Sequence, residues 1–442
     1  MPPSPHCMKA SAGKIVMLVE NFYPQDPRVR NEANLLTSAG YQVSVICLRK
    51  QGQTPTEIIN GVKIYRVPRL ELFKKTPSGH AGWAGRTLLK LKAALGYIFE
   101  YGYFTSACLA VSTYIFFRYG LDVIHAHNPP DTLFAVALPF KLLGRKFVFD
   151  HHDLCPELYL SRYGARPGLY TKVLTWFEWC SLKLADATIA TNESYKKVQM
   201  ERGKRPPETI FVVRNGPDAR RMNPVPPSPR LRQMNKTILC YIGSLNPQDG
   251  VDYLLRSLHY MVHVLNREDF HCVIMGTGDS LQDLRSLALQ LQLNGHVDIR
   301  GFVSEEELQA NLAAADICVD PDPSSPLNDV STWIKIMEYM AYQKPIVSFD
   351  LKETHYSAQD AALYVTPNEE AEFAKAITVL MDKPELRQKM GAFGRARVER
   401  ELQWSVVGKN LLAAYRQVLH GQAALSSSAL PSPSSSSSSS SS

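Results

Sequence analysis

Cysteine patterns of the kind that hold zinc or disulfide bonds are absent from this sequence. It has 8 cysteines among 442 residues, and no two of them form a C-x-x-C pair. Four of them lie in apolar runs that are typical of strands: Cys47, Cys240, Cys272 and Cys318. Buried thiols of this kind are usual in a reducing compartment. The sequence therefore predicts a cytoplasmic protein without a zinc site.

Signals for secretion, for repeats and for nucleic-acid binding are also missing. The opening segment MPPSPHCMKASAGK has no apolar core, so we expect no signal peptide. The net charge of +7 is modest, and it fits anionic substrates or a membrane surface better than nucleic acid. We expect residues 1–13 and the serine-rich segment 426–442 to be disordered, because they have too little apolar surface to bury.

Apolar runs that alternate with helical segments predict two α/β domains. Residues Ile15–Val19 and Tyr41–Leu48 read as strands on either side of a helix, which is the opening of a parallel sheet. The pattern restarts at Thr237–Gly243, after a proline-rich run that reads as a linker. The predicted boundaries are 14–217 for the first domain, 218–402 for the second and 403–425 for a final helix.

Residues 315–350 carry the most informative pattern. They read as strand, loop, helix and strand, with Ser331 and Thr332 as helix N-caps. The free N–H groups at such a helix start suit a phosphate. Lys335 and Glu338 lie three residues apart and share a helix face, where a cation and a carboxylate would suit the phosphates and ribose of a nucleotide. The alternative is an ion pair on the surface.

This stretch resembles the donor-site motif of the retaining GT-B glycosyltransferases of family four. The E-Y-M-A sequence at Glu338 and the P-I-V that follows it match the second half of that motif. The first glutamate of the motif falls at Val330 and is missing, and the neighbours Asn328 and Asp329 are the candidates to replace it. The resemblance covers about residues 14–418 and is strongest to a bacterial subgroup that builds surface polysaccharides.

The resemblance implies two Rossmann-like domains with parallel sheets that face each other across a cleft, and a last helix that crosses back onto the first domain. It implies transfer of a hexosyl, N-acetylhexosaminyl or deoxysugar group from a nucleotide-sugar, with retention, to a glycan or a polyprenyl-linked acceptor. The leaving diphosphate would take the acceptor proton, so neither a nucleophile of the enzyme nor a cofactor or metal is expected.

The resemblance also assigns candidate site residues. The catalytic candidates are His152, Lys335 and Asp329. The donor-binding candidates are Gly243, Ser244, Gly276, Gly278, Arg300, Phe302, Ser331, Thr332 and Glu338. The acceptor-binding candidates are Arg28, Arg30, His127 and Asn128. The usual diphosphate-binding arginine and lysine are replaced by Ser244 and Asp249, so the candidates to bind the phosphates are Lys335, backbone N–H groups and an arginine from the other domain.

Several of these residues also fit interpretations in which they take no part in sugar transfer. The two arginines also fit a solvated first helical turn, and the histidines fit a core or a metal site. The G-x-G sequence at Gly276 fits a simple tight turn. For the whole chain, the missing motif residues leave open a catalytically silent nucleotide-sugar-binding protein. A GT-B epimerase or phosphorylase is the other alternative.

Residues 69–117 raise the question of a membrane. The run 69–92 is basic and reads as loop-rich, and Ala93–Phe117 is largely apolar and aromatic. The apolar segment fits a helix buried under the first sheet, a helix that contacts a membrane beside the basic run, or a transmembrane helix. Peripheral contact with the inner face of the membrane is therefore one expectation.

Overall fold

The structure is a computed structural model that describes residues 12–70, 83–163, 166–217 and 225–421. The segment 426–442 and nearly all of residues 1–13, which are predicted to be disordered, lie outside these ranges. Much of the basic run 69–92 also lies outside them, since residues 71–82 are not included and the side chains of 83–95 are not described.

The first domain is built on an eight-stranded sheet. Its strands are β1 (Lys14–Phe22), β2 (Gln42–Arg49), β3 (Thr56–Ile59), β4 (Val62–Pro68), β5 (Val123–His127), β6 (Lys146–His151), β7 (Ala187–Ala190) and β8 (Ile210–Val212). They lie in the order β3-β4-β2-β1-β5-β6-β7-β8. All neighbouring pairs are parallel except β3 and β4.

Helices cover both faces of this sheet. They are α1 (Pro27–Ser38), α2 (Trp83–Tyr119), α3 (Phe134–Leu142), α4 (Cys155–Tyr163), α5 (Leu169–Leu184) and α6 (Glu193–Arg202). The apolar side chains of α1 pack on one face, and those of α2 and α3 pack on the other. Asp26 caps α1 by accepting a hydrogen bond from the Arg28 N–H, and Pro27 fixes φ in the first turn.

The second domain has a six-stranded, fully parallel sheet. Its strands are β9 (Thr237–Ile242), β10 (Phe270–Met275), β11 (Val297–Gly301), β12 (Ile317–Asp320), β13 (Ile346–Phe349) and β14 (Ala362–Val365), in the order β11-β10-β9-β12-β13-β14. Its helices are α7 (Pro229–Arg232), α8 (Val251–His263), α9 (Leu281–Gln290), α10 (Glu305–Ala314), α11 (Ile334–Ala341), α12 (Lys352–Ala358), α13 (Glu370–Asp382) and α14 (Pro384–Arg397). The prediction of two α/β domains with parallel sheets is confirmed.

The last helix, α15 (Trp404–His420), packs against the first domain. Leu411, Tyr415 and Val418 belong to the same apolar cluster as α1 and β1. The Tyr415 hydroxyl lies 2.8 Å from Nδ1 of His125 in β5. The chain therefore enters the second domain and returns to the first, so the two domains are joined by two crossings.

Two predictions about local structure are wrong. The helix α11 begins at Ile334, and Ser331 and Thr332 do not cap it. The Ser331 hydroxyl instead donates to the carbonyl of Leu327 at 2.7 Å, and Thr332 accepts a hydrogen bond from Asn192. The basic segment 69–92, which was expected to be loop-rich, is helical from Trp83 onward, where α2 begins.

The α2 helix lies under the first sheet on one side and is open to solvent on the other. Phe104, Cys108 and Ile115 are buried against the strands, whereas Phe99 and Phe117 are exposed. Within the described part of the chain, no helix has both the length and the apolar character that a membrane crossing requires.

Candidate functional site

A cavity of about 390 Å³ lies between the two domains. The first domain contributes Gln25, Pro27, Arg28, Asn31 and Lys50 to its wall. The second domain contributes Phe302, Glu305, Ile334 and Glu338, and the two crossings contribute Asn215, Gly216 and Trp404. The cavity lies beyond the carboxyl end of β1, which is where ligands bind to doubly wound sheets. It therefore brings predicted acceptor and donor residues to one site.

Arg28 of the first domain and Glu338 of the second domain lie on opposite sides of this cavity. Glu338 lies in the second turn of α11 and is buried, and Arg28 lies in the first turn of α1. Arg28 forms a bidentate ion pair with Asp26, with Nε–Oδ1 and Nη2–Oδ2 distances of 3.1 and 2.9 Å. Burial opposes the charge of Asp26, but the Arg28 guanidinium outweighs it and holds the pKa of Asp26 well below its usual range. The wall of the cavity thus has a fixed guanidinium.

Three other predicted site residues are Phe302, Arg30 and Arg300, and the structure places them in different surroundings. Phe302 is largely exposed at the edge of the cavity, after β11. Arg30 donates from Nη1 to the carbonyl of Pro24 at 2.9 Å and so holds the loop before α1. Arg300 is paired within its own domain, with Asp298 and Glu307. Of these three predicted residues, Phe302 is the one placed at the cavity.

Lys335 lies in a buried ion triad that does not include Glu338. Its Nζ is 3.0 Å from Oδ1 of Asp320 and 2.6 Å from Oδ2 of Asp322. It also lies 5.0 Å from the ring centroid of Tyr241. Burial opposes the ammonium charge, but the two carboxylates outweigh it and hold the pKa of Lys335 well above its ordinary value. The triad fixes α11 to the carboxyl end of β12.

The glycines after β9 and β10 allow two loops to pack backbone against backbone. A Cβ added at Gly276 would lie 1.7 Å from the carbonyl oxygen of Gly243, and one at Gly278 would lie 2.3 Å from that of Leu245. Gly276 also has φ +151, which only glycine adopts readily. The N–H of Leu245 donates to the carbonyl of Thr277 at 3.0 Å. The G-x-G sequence is therefore more than an isolated tight turn.

Several predicted donor residues take part in contacts between the domains. Asn192 of the first domain donates to the carbonyl of Val330 at 2.8 Å and to the hydroxyl of Thr332 at 2.9 Å. The Tyr195 hydroxyl lies 3.3 Å from that of Ser331. Asp329, by contrast, accepts a hydrogen bond from Ser324 in its own loop, at 3.2 Å. The segment 328–332 thus joins the domains on one side of the cleft.

A second polar cluster lies at the carboxyl ends of β5 and β6. Oδ2 of Asp150 is 3.3 Å from Nδ1 of His127 and 3.1 Å from Nε2 of His152, and these two nitrogens are 3.2 Å apart. His125 and Glu32 adjoin these residues, and Nε2 of His125 is 3.9 Å from Oε2 of Glu32. Ligating atoms of Glu32, His127, Asp150 and His152 lie within 4.8 Å of one another, close enough for one cation. The expectation of no metal stays a prediction.

Burial decides which groups of this histidine cluster are charged. It lowers the pKa of His127 to about 3, so this imidazole is neutral at pH 7. Burial and the neighbouring Asp150 raise the pKa of Glu32 well above its usual value. Asp150 is also buried, but His152, His125 and His127 outweigh that effect and hold its pKa well below the ordinary range. Asp150 is therefore the carboxylate that carries the charge.

Asn128 ties the two strand ends together. Its side-chain oxygen accepts hydrogen bonds from the backbone N–H groups of His152 at 2.6 Å and Asp153 at 3.1 Å. Its Nδ2 donates to Oδ1 of Asp131 at 2.9 Å. Both sides of the amide are used within the protein, so Asn128 positions His152.

Sequence reasoning missed the carboxylate that pairs with Arg28 and the carboxylates that organise the histidine cluster and the Lys335 triad. These are Asp26, Glu32, Asp150, Asp320 and Asp322. A signal was present for Asp150 and Asp320, because each lies at the carboxyl end of a predicted parallel strand, where ligands bind. Glu32 carries no such signal, since it looks like any polar residue on an exposed helix.

Two protein-family models match most of the chain. The model described as Glycosyltransferase Family 4 matches residues 28–221, and the model described as Glycosyl transferases group 1 matches residues 236–383. Among curated proteins, alpha-maltose-1-phosphate synthase of Mycolicibacterium smegmatis is 26% identical over 324 residues, which are 67% of this chain and 79% of that protein.

Solved structures with the same architecture are more distant in sequence. Sucrose-phosphate synthase from Thermosynechococcus elongatus has a TM-score of 0.70 at 17% identity and covers 92% of this chain and 98% of its own. HepE of Anabaena, in complex with UDP and glucose, has a TM-score of 0.65 at 16% identity and covers 91% of this chain and 98% of its own. At these identities the likeness establishes the fold alone.

Proposed function

We propose that this chain, which belongs to the family 4 glycosyltransferases and has the GT-B fold, transfers a sugar from a nucleotide-sugar to a glycan or lipid-linked acceptor with retention of configuration. The predicted fold is confirmed by the solved structures, and the assignment to the glycosyltransferases is confirmed by the matched family models. The donor, the acceptor and the stereochemistry belong to the proposal, as does a role in surface polysaccharide synthesis at the inner face of the membrane.

The observation that carries the proposal is the cavity lined by Arg28 on one side and Glu338 on the other. A nucleotide-sugar has a ribose diol, a diphosphate and a sugar, and the cavity presents a carboxylate on one wall and a guanidinium on the other. Glu338 would accept hydrogen bonds from the ribose. The backbone-packed loops at Gly243 and Gly276 would leave room for the diphosphate. HepE, a solved protein of the same fold, is described in complex with UDP and glucose.

The histidine cluster would shape the sugar end of the site. Asn128 fixes the backbone of His152, and the Asp150 carboxylate holds the rings of His127 and His152 side by side. Asp26, which pairs with Arg28 at the cavity, lies close enough to His152 for an electrostatic interaction, so the histidine cluster adjoins the cavity. Preorganised groups of this kind stabilise charge that develops when the bond to the leaving diphosphate breaks. In the proposed reaction that diphosphate accepts the acceptor proton.

The missing motif residues favour one rival, a protein that binds a nucleotide-sugar without transferring it. Val330 replaces the first motif glutamate, and Asp249 replaces a lysine and is buried. Asp249 accepts a hydrogen bond from the Asn246 N–H at 2.8 Å, which holds its loop. A carboxylate at this place would repel a diphosphate. The epimerase or phosphorylase alternative has no structural observation in its favour.

A two-step experiment distinguishes a retaining transferase from a silent binding protein and from an epimerase or phosphorylase. Thermal-shift screening against a panel of nucleotide-sugars should identify the donor by a rise in melting temperature. The identified donor is then incubated with candidate acceptors, and the anomeric configuration of the product is read by NMR. Transfer with retention supports the proposal, and donor binding without transfer to any acceptor supports the silent protein. Products from the donor alone, or a requirement for phosphate, would show an epimerase or a phosphorylase.

A further inference from the structure

Two glycine-containing loops of the second domain have acidic side chains and no basic ones. These glycine loops are 243–250, after β9, and 276–280, after β10. Their charged residues are Asp249 and Asp279, and neither loop has a lysine or an arginine in its sequence. A diphosphate at these loops would meet two acidic side chains, so a cation from elsewhere in the chain is needed to balance its charge.

The backbone of Asp279 is held between the two glycine loops. Its N–H donates to the side-chain oxygen of Asn246 at 3.0 Å. The N–H of the next residue, Ser280, donates to the carbonyl of Leu245 at 2.9 Å. The side chain of Asp279 is 57% exposed, so its carboxylate can be reached from the solvent. Any group that pairs with this carboxylate therefore lies at the glycine loops.

Arg162 of the first domain pairs with this carboxylate. Its Nη2 donates to Oδ2 of Asp279 in an ion pair. Arg162 lies in the last turn of α4, and α4 also packs against the turn Pro247–Asp249 in the first glycine loop. The ion pair therefore crosses from one domain to the other and brings a guanidinium to the glycine loops.

The side of α4 that carries Arg162 is the side that contacts the second domain. Leu154, just before the helix, Leu158 and Arg162 are spaced four residues apart, which places them on one side of α4. Leu154 and Leu158 pack in an apolar cluster with Leu327 and Val330 of the second domain. Arg162 lies one turn further along, so the packing of α4 determines its position together with the ion pair.

The amino end of α4 is anchored in the first domain. Arg202 of α6 donates to Glu157 of α4 at 3.2 Å and to Glu178 of α5 at 3.0 Å. Glu178 is buried, so this contact ties α4 to the body of the domain. A side chain on an anchored helix loses less conformational freedom when it binds a ligand. The guanidinium of Arg162 is thus preorganised at the glycine loops.

We propose that Arg162 binds the diphosphate of the nucleotide-sugar, and that Asp279 is the partner which the diphosphate replaces. This assignment rests on the proposed function, since it adds a residue of the first domain to the donor site. A guanidinium presents parallel N–H donors that match two phosphate oxygens. An exposed ion pair contributes little to stability, so a diphosphate, which has more charge than a carboxylate, can replace Asp279 at small cost.

Arg162 then acts on the leaving group of the reaction. In the transfer, the bond between the anomeric carbon and the diphosphate oxygen breaks, and its electron pair stays with the diphosphate. The anomeric carbon forms a bond to the acceptor oxygen, whose proton goes to the diphosphate. The guanidinium stabilises the negative charge that grows on the diphosphate. Because Arg162 and the glycine loops belong to different domains, this stabilisation requires the two domains to be close together.

Calorimetric titration of the full chain tests the assignment, with UDP, GDP, ADP, CDP and dTDP and with the corresponding nucleosides. For the diphosphate that binds, Arg162→Gln should weaken binding about tenfold or more, because a charge-assisted contact to phosphate is lost. Its affinity for the nucleoside should not change. Lys197→Gln is the matched control and should bind like the wild type, since Lys197 is also a first-domain cation in an ion pair, with Glu201 of the same helix.

Asp279→Asn distinguishes phosphate binding from a contact that only holds the domains together. If Arg162 binds the diphosphate, Asp279→Asn removes its competing partner, so the diphosphate should bind at least as tightly as to the wild type. If the ion pair only holds the domains together, Asp279→Asn and Arg162→Gln should weaken binding equally. Arg162→Lys retains the charge without the parallel donors and should give an intermediate affinity.

Four results would overturn the assignment. They are wild-type diphosphate affinity in Arg162→Gln, equal losses of diphosphate and nucleoside affinity, equal losses in Arg162→Gln and Asp279→Asn, or no binding of any diphosphate to the wild type. Circular dichroism checks that each variant is folded, and sugar transfer is measured on the same samples. A wild type that binds diphosphate through Arg162 but transfers no sugar would reject the proposed function and keep the assignment. Wild-type transfer kinetics in Arg162→Gln would reject the assignment and keep the function.

Discussion

Each domain carries a buried polar cluster at the carboxyl ends of its strands, and the two clusters manage charge in different ways. In the first domain, histidines surround the Asp150 carboxylate, and burial lowers the pKa of His127 to about 3. Burial raises the pKa of the adjacent Asp131 to about 6. In the second domain, Lys335 lies between two aspartates that keep it charged.

This difference shows that the sheet topology determines where the buried polar residues lie, and that the neighbouring side chains determine which of them are charged. Parallel strands bring polar residues to the same edge of both sheets. In the first domain burial keeps the imidazole of His127 neutral at pH 7, next to the charged Asp150 carboxylate, which suits contact with neutral sugar hydroxyls. In the second domain they form a fixed ion triad that holds the ammonium of Lys335 at the carboxyl end of β12.

Removing the fixed cation should have the largest effect. We expect Lys335→Met to lower turnover by at least about a hundredfold, as loss of one preorganised electrostatic group does. The same change leaves Asp320 and Asp322 buried without their cation, which should cost about 3–5 kcal/mol of stability. Turnover is therefore measured at saturating donor, on protein that circular dichroism shows to be folded.

A second variant separates these two effects of Lys335. In Lys335→Met/Asp322→Asn one charge of the triad is removed with the cation, so much of the lost stability should return. Turnover should stay low if the ammonium acts on the diphosphate. Near-normal turnover in the folded single or double variant would limit Lys335 to a structural role, and Arg28 or Arg30 would be the next cation to test.

Removing a titrating group from the first domain should change how stability depends on pH. His151 is buried, and within the described residues neither of its ring nitrogens has a hydrogen-bond partner. Burial lowers its pKa to about 3, whereas an unfolded histidine has a pKa near 6.5. Between these values the unfolded chain binds the extra proton, so His151 lowers the free energy of unfolding as pH falls.

We therefore expect His151→Phe to gain about 2 kcal/mol over the wild type between pH 7 and pH 5. The measurement is the free energy of unfolding from urea titrations of both proteins at the two pH values. His355→Phe is the comparison variant, because the side chain of His355 is exposed whereas that of His151 is buried. Parallel pH curves for His151→Phe and the wild type would contradict the buried, neutral state of His151.

Glu338 tests the assignment of the nucleotide to the second domain. Loss of a hydrogen-bond acceptor for buried ribose hydroxyls costs about 1–3 kcal/mol, so Glu338→Ala should weaken nucleoside-diphosphate binding about tenfold. Calorimetric titration measures this affinity. Glu305→Ala is the matched control, since Glu305 lines the same cavity but begins a different helix, α10. An unchanged affinity in Glu338→Ala would remove this residue from the site.

Chelation should have the smallest effect, because the reaction is proposed to run without a metal. EDTA treatment of the purified protein should leave turnover unchanged, and elemental analysis should find no stoichiometric metal. The relevant position is the cluster of Glu32, His127, Asp150 and His152. If the wild type contains one equivalent of zinc and Asp150→Asn contains none, these side chains hold a cation. The cluster of the first domain would then bind a metal, whereas that of the second domain is an ion triad.

The fold was predictable because its signals are local in the sequence. Apolar strand runs, the glycine after α1 and the restart of the pattern near Thr237 each depend on neighbouring residues, and the structure has both sheets where they were expected. The start of α11 was not predictable in the same way. Ser331 and Thr332 are good caps by composition, but hydrogen bonds to Leu327 and Asn192 occupy their side chains.

The sequence predicted several of the residues that line the candidate site, but it did not predict which side chains contact them. The carboxyl-edge rule and the motif resemblance placed Glu338, Arg28 and Phe302, and all three line the cavity. The triad partners of Lys335 were not identified, because Asp320 and Asp322 lie more than ten residues away in sequence and approach only when β12 and α11 pack together.

The sequence by itself determined the two parallel sheets, the motif at Glu338 and the enzyme family, since these depend on residue type and spacing along the chain. The tertiary structure decided which residues are charged, which are shared between domains and which face outward. Burial and neighbouring charges set the protonation of Asp150 and Glu32, and the packing of α5 against α3 leaves Trp176 on the surface. These properties depend on distances between residues far apart in the chain, and only the folded structure fixes those distances.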